Sequence, residues 1–138
     1  MATLTLSQAQ TALEAGLAKA AEISSPSSVA VIDGGRELLA FARMDGALLA
    51  SAAISQAKAY TSRSLGCDTR DVDGLAQPGA PLYGIQTAHL AVGRALITFG
   101  GGVLVTVDGE VVGAVGVAGG SPDQDHEIAA AAAAALGA

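Results

Sequence analysis

Four side chains have the types and settings to move protons or hold an anion: Arg43, Asp45, Lys58 and His126. Arg43-Met-Asp45-Gly stands between an apolar run and the start of a helical stretch. There a guanidinium can clamp a carboxylate or carbonyl while the Asp45 carboxylate orients the ligand or acts as a base. The plainer alternative is that Asp45 caps the next helix and Arg43 pairs with it. Lys58 follows Ile54 by one helical turn and precedes Thr61 by another, on a face that is otherwise apolar. A lysine there must be buried and paired, shifted in pKa, or snorkelling from a subunit edge. That makes it a candidate for anion binding or proton transfer. His126, flanked by Asp125 and Glu127, has the setting of a general acid–base or a metal ligand, the plainer alternative being a solvated or capping histidine. His89 lies too far from His126 along the chain to form a recognised metal spacing, and no nucleophile motif is present.

Two glycine clusters invite the phosphate question. Gly100-Gly101-Gly102 lacks both the Walker spacing and the dinucleotide fingerprint. It suits a bulge or a tight approach of backbones. Gly119-Gly120 leads into a helix start, where free N–H groups favour anions. Asp123 and Asp125 already place negative charge there.

The elements that must position these groups are legible in outline. Ser7 and Gln10 have capping-box spacing, and Ala9, Leu13, Leu17 and Ala20 recur at helical intervals, so the pattern predicts a helix over 7–23. The stretch 28–43 reads as a β-hairpin, with Asp33-Gly34-Gly35 supplying positive φ for the turn. A helix over Gly46–Leu65 follows, with Ile54, Ala57, Thr61 and Leu65 as its inner stripe and Gly66 just past its end. A second hairpin spans 103–117 and turns at Asp108-Gly109. The last helix opens with Ser121-Pro-Asp-Gln124 and runs through an alanine block to Leu136. An additional strand is expected near Ala95–Phe99. Between 67 and 94 the signals are weak: a short helix around Asp68–Asp71, a loop at 77–81, and a poorly capped helical stretch at 83–92. Long irregular segments are often functional, so this one is expected to shape a pocket or a subunit contact.

The sum is one domain over 1–138, of α+β class, with helices on a four- to five-stranded antiparallel sheet. Aromatics are only 3% of 138 residues, tryptophan is absent and glycine numbers 18, so the core must close by near approach of backbones. A net charge of −6 and the shortage of stacking aromatics exclude a nucleic-acid footprint. The most apolar stretch, 96–117, is cut by glycines and by Asp108 and Glu110 and reads as strands, so no membrane partner is expected. The residues after Met1 lack the basic and apolar regions of a signal peptide, and the single Cys67 cannot form an internal disulfide. Both fit a cytoplasmic location.

Several strings, in order, resemble the GlcG/HbpS-like family, which includes the C-terminal domain of PduO-type proteins. They are Val31-Ile-Asp-Gly-Gly35 with Arg43-Met-Asp-Gly-Ala47, then Lys58-Ala-Tyr-Thr61, then Phe99-Gly-Gly-Gly102 and 107–117, and last Gly119-Gly with Asp123-Gln-Asp125. The resemblance covers about residues 5–136. It implies a profilin-like three-layer α/β/α arrangement, a homo-oligomer, and a small-molecule ligand of the haem or tetrapyrrole kind. Tyr60, Phe99, Gly100 and Gly101 are the candidate cofactor-binding residues. Relatives that bind tetrapyrroles are expected to ligate iron through a histidine near the first helix. This chain has none there, which leaves His126, Tyr60, Tyr83 and Cys67 as substitutes of ligating type. The alternative reading is a cofactor-free isomerase, hydro-lyase or hydrolase acting on a small oxygenated metabolite. In it Arg43 would hold the anionic group, and Asp45, Lys58 or His126 would shuttle the proton.

Overall fold

Thr5, rather than Ser7, starts the first helix. In the computed structural model, which describes residues 3–137, α1 runs Leu6–Glu22 and both arms of its capping box join Thr5 to Gln8. The Thr5 backbone N–H donates to Gln8 Oε1 at 3.0 Å, and the Gln8 N–H donates to Thr5 Oγ1 at 3.1 Å. The alternative box at Ser7 loses because this start buries Leu4 before the cap and Ala9 in the first turn, the apolar pair that fixes a helix entry. The reading of the extreme N-terminus at Met1 and Ala2 lies outside the described residues.

Strands β1 (Ser28–Asp33) and β2 (Leu38–Arg43) form the first hairpin. Its turn differs from expectation: the left-handed residue is Arg36, at φ 72°, and neither Gly34 nor Gly35 is. Asp33 Oδ1 accepts from the N–H groups of Gly35 and Glu37, and this side-chain bracket sets the turn. Helix α2 spans Ser51–Leu65 instead of starting at Gly46. Gly46 sits at φ 83°, which no right-handed helix contains. Gly66 ends α2 in the left-handed region, as its position implied.

Strands β3 (Gly102–Val107) and β4 (Glu110–Ala118) turn through Asp108 at φ 52° and Gly109 at φ 78°. Two successive positive φ values match the right-handed twist of the strands they join. Helix α3 (Pro122–Ala134) has the capping box read from Ser121 and Gln124. Between α2 and β3 the chain makes four 3-10 turns and no strand. At 95–99, where a strand was expected, the Ile97 N–H donates to Thr61 Oγ1 and the Leu96 N–H to the Gln86 carbonyl. Those donors are therefore spent on α2 and on the loop itself, and Leu96 is buried as the anchor.

The sheet is fully antiparallel in the order β2-β1-β4-β3. Helix α2 packs on one face, while α1 and α3 share the other. The α1/α3 face holds most of the core: Val29, Val31, Val115 and Val117 meet Ile128, Ala129 and Ala132. Each fully buried valine or isoleucine there contributes roughly 1.5–3 kcal/mol. Glycine permits the close approach that the aromatic-poor composition demands. A methyl group on Gly16 of α1 would stand 3.2 Å from Val29 and 3.3 Å from Ala132, and one on Gly116 would meet the Ser55 carbonyl of α2. Among the described residues no helix is long and apolar enough to cross a membrane.

Candidate functional site

Helix α2 carries two polar groups two residues apart that meet opposite fates. Tyr60 faces an open cleft of about 500 Å³ at the hairpin end of the sheet. Ile32, Leu38, Ala53, Ala57 and Ala95 give the cleft its apolar walls, and Arg36, Glu37, Gln56 and Arg94 its polar ones. A smaller hollow of about 330 Å³ shares Arg36, Glu37, Tyr60 and Arg94 with it. Tyr60 is only 6% exposed, so its ring is a fixed platform. The guanidinium carbons of Arg36 and Arg94 stand 5.0 and 4.8 Å from the ring centroid. Both distances are within cation–π range.

The Tyr60 hydroxyl joins three elements. Arg36 Nη1 donates to it at 3.3 Å and also to Ser64 Oγ at 3.2 Å, while His89 Nδ1 lies 2.9 Å from it. The His89 ring meets the Tyr60 ring edge-on, with centroids 5.7 Å apart. An arginine can only donate, so the tyrosine oxygen accepts from Arg36 in every protonation state. Two arrangements of the histidine then fit. Tyr60 donates to a bare Nδ1 with the ring proton on Nε2, or Nδ1–H donates to Tyr60 and Nε2 is bare. In both, Nε2 makes no hydrogen bond among the described residues. Arg36 holds its place at a cost. Left-handed backbone at a non-glycine residue is unfavourable by about 1–2 kcal/mol, and here the three-residue loop between Asp33 and Glu37 requires it.

Lys58 takes the other fate. It is 1% exposed, and its Nζ donates to Asp125 Oδ2 at 2.9 Å and to the Val117 carbonyl at 2.8 Å. Asp125 Oδ1 accepts in turn from the Gly120 N–H at 2.9 Å. The pair joins α2 on one face of the sheet to the first turn of α3 on the other, around the open end of β4. Phe99 caps it, its ring centroid 5.0 Å from Nζ. Burial pulls Lys58 below its ordinary value, against the upward pull of Asp125. The glycine cluster serves this staple. A methyl group on Gly101 would stand 2.6 Å from Lys58 Nζ and 2.5 Å from the Val117 carbonyl, and one on Gly100 would stand 2.8 Å from the Pro122 carbonyl. Lys58, Phe99, Gly100 and Gly101 are thus brought together, but around an ion pair.

Arg43 and Asp45 lie apart from these groups, and both are exposed. Arg43 ends β2 at one edge of the sheet, and Gly102 begins β3 at the other. Three strand spacings separate those edges, about 14 Å. Asp45 does not cap α2, whose N-cap is Ala50 without a side-chain bond, because the chain turns at Gly46 before the helix begins. Arg43 and Asp45 form no ion pair among the described residues. Neither cleft above is lined by Arg43, Asp45, Lys58 or His126. His126 has a buried Nδ1 without a hydrogen-bond partner among the described residues, and burial pulls its pKa below 6.5, helped by Arg70. Burial pushes the Cys67 thiol up, reinforced by Asp71 and Asp68. That thiol stays protonated and unreactive at neutral pH. Tyr83 is exposed and lines neither cleft.

Sequence reasoning missed Arg36, His89 and Arg94. Arg36 was hidden inside a turn whose glycines accounted for the geometry. His89 and Arg94 lie in the weakly patterned segment expected to shape a pocket, and that segment does supply Gly93, Arg94 and Ala95 to the cleft wall. Tyr60, a candidate cofactor-binding residue, does line the cleft.

Fold and cleft together define a small three-layer α+β domain with one open, cation-rimmed recess. The chain belongs to the HbpS-like family: the family described as haem degrading protein HbpS-like matches residues 4–134. It is 42% identical over 129 residues to an uncharacterized 15.0 kDa protein in the dhaT-dhaS intergenic region of Citrobacter freundii, covering 94% of this chain and 89% of that one. It is 37% identical to the corrinoid adenosyltransferase PduO of Salmonella typhimurium over 88% of this chain, but spans only 35% of PduO. The crystal structure of a PduOC:heme complex superposes with a TM-score of 0.88 at 31% identity, covering 97% of this chain and 95% of that one.

Proposed function

We propose that a tetrapyrrole of the haem type binds at the open cleft, with His89, which lines neither hollow but is joined to the cleft wall through Tyr60, as the iron ligand in place of the histidine missing from α1. The observation that carries this reading is the hydrogen bond between the Tyr60 hydroxyl and His89 Nδ1, which orients the ring while leaving Nε2 without a partner among the described residues. Metal-ligating histidines are oriented in this way, with the second nitrogen donating to a fixed acceptor. The Tyr60 oxygen has two lone pairs and can accept from Nδ1–H and from Arg36 together. Ile32, Leu38, Ala53 and Ala57 supply apolar surface for a macrocycle. A bound iron porphyrin would supply redox and ligand-exchange chemistry set by its axial ligand. The heme complex of PduOC, on the same fold, supports this ligand class.

Titrating haemin into the purified protein tests the reading. A saturable Soret shift is expected in the wild type and in His126→Gln, and its loss in His89→Ala. The reading is contradicted by a shift that survives His89→Ala at the same dissociation constant.

The same reading includes a homo-oligomer in the cytoplasm, a location supported by the single unpaired Cys67. Leu48 and Leu49, the latter 88% exposed, stand before α2, and Leu75, Leu90 and Val92 are exposed on the irregular segment. So much exposed aliphatic surface suits contact with further copies. A Leu48→Lys, Leu49→Lys variant should show a lower mass by light scattering.

A further inference from the structure

We infer that Arg36 and Arg94 form a carboxylate-recognition pair, so that the cleft selects a planar organic ligand by its carboxylates. The inference rests on the reading of the cleft as the ligand site and names what the ligand must carry. Both guanidiniums are gathered on one ring, at 5.0 and 4.8 Å from its centroid. Neither can be further from the other than those two distances laid end to end. At that limit, 9.8 Å from 5.0 and 4.8 Å, two like charges still repel, although water and salt screen much of the repulsion. The chain's net charge of −6 makes it notable that no carboxylate pairs with either: among the described residues the ion pairs use Lys19 and Lys58 alone.

Their donors are also largely unspent. Arg36 gives Nη1 to Tyr60 and Ser64, which leaves Nε and Nη2 without partners among the described residues, and Arg94 makes no side-chain hydrogen bond there. A guanidinium fork matches a carboxylate in a two-point geometry that an ammonium cannot reproduce. Tyr60 stacking removes much of the freedom each arginine would otherwise lose on binding. Glu37 lines the same cleft and opposes an anion. Its carboxylate therefore weakens the site, and removing its charge should tighten binding.

The test compares free acids with their esters. Haemin and haemin dimethyl ester share a macrocycle and differ in the two carboxylates; naphthalene dicarboxylate and its dimethyl ester repeat the comparison without metal or macrocycle. Dissociation constants are measured by absorbance for the wild type and for the Arg36→Gly, Arg94→Ala double variant, with arginine Nε–H NMR shifts as a second readout. The wild type should favour each acid over its ester by roughly 10- to 100-fold, with shifts at both arginines. The double variant should bind acid and ester alike. Equal binding of acid and ester by the wild type overturns the inference, as does a preference that survives in the double variant. Haemin bound without such a preference removes this inference and leaves the tetrapyrrole reading. The dicarboxylate bound with an arginine-dependent preference while haemin is not bound does the reverse. Binding of neither acid removes both.

Discussion

The two ends of the sheet use the same helix for opposite purposes. At the open end of β4, Lys58 is sealed from water and answered by Asp125 and the Val117 carbonyl, while Asp125 accepts from the Gly120 N–H. At the hairpin end, Tyr60 gathers two arginines that no carboxylate answers among the described residues. Buried charge with every partner supplied is structural: it holds α2, β4 and α3 in register, and its removal leaves an unpaired ion in a low-dielectric interior. The arginines at the open recess have Tyr60 as a partner but no carboxylate among the described residues, so the donors they leave unspent are open to a ligand. The two polar groups on α2 therefore separate stability from binding, and each can be perturbed alone.

The largest effect should follow from breaking the sealed end. Lys58→Ala should cost about 3–5 kcal/mol by leaving Asp125 buried and unpaired, read as a lowered urea midpoint. Replacing both partners, with Lys58→Met and Asp125→Leu, should recover much of that loss, because two apolar groups leave nothing unpaired. A double variant as unstable as the single one would show that the staple does more than satisfy itself. The contrasting perturbation is Arg36→Gly. Glycine relieves the left-handed backbone but loosens the unfolded chain, so stability should stay within about 1 kcal/mol. Haemin binding should nonetheless weaken roughly tenfold or more. Equal losses of stability and binding would erase the distinction between the ends.

A smaller effect concerns pH. His126 has a folded pKa below 6.5 because burial and Arg70 disfavour its charged form. The folded state then binds fewer protons than the unfolded state between the two values. The stability it contributes is complete above 6.5 and is lost as pH falls through the folded pKa. His126→Gln should flatten the dependence in that window, measured by thermal melts from neutral pH downwards, without altering haemin affinity at pH 7. The smallest effect expected is Glu37→Gln, which should tighten haemin binding by no more than about fivefold, the scale of an exposed charge.

How much of this was legible beforehand follows from where the signals are local. The hairpin at Asp108-Gly109 and the cap at Ser121–Gln124 are fixed within four residues, and both stand as read. The two hairpins carried the antiparallel sheet, and the family pattern the layers. The apolar neighbours of Lys58 left both burial and a snorkelling edge position open, because its partner Asp125 is sixty-seven residues further along the chain and no spacing rule reaches it. The cleft was illegible for a related reason. Arg36, Tyr60 and Arg94 come from a turn, a helix and a segment without periodicity, and they meet, with His89 behind Tyr60, only when the β1–β2 turn folds over α2. No strand forms at 95–99 despite its β-like composition, because its backbone donors go to Thr61 of α2 and to the Gln86 carbonyl, partners that no local pattern reveals.

The most direct test of the account is the haemin absorption spectrum of His89→Ala, recorded with and without added imidazole. The account expects the wild-type Soret band to disappear in the variant and to return when imidazole fills the space the side chain left. A variant spectrum identical to the wild type without imidazole would contradict it, and would place the ligand away from the Tyr60 cleft.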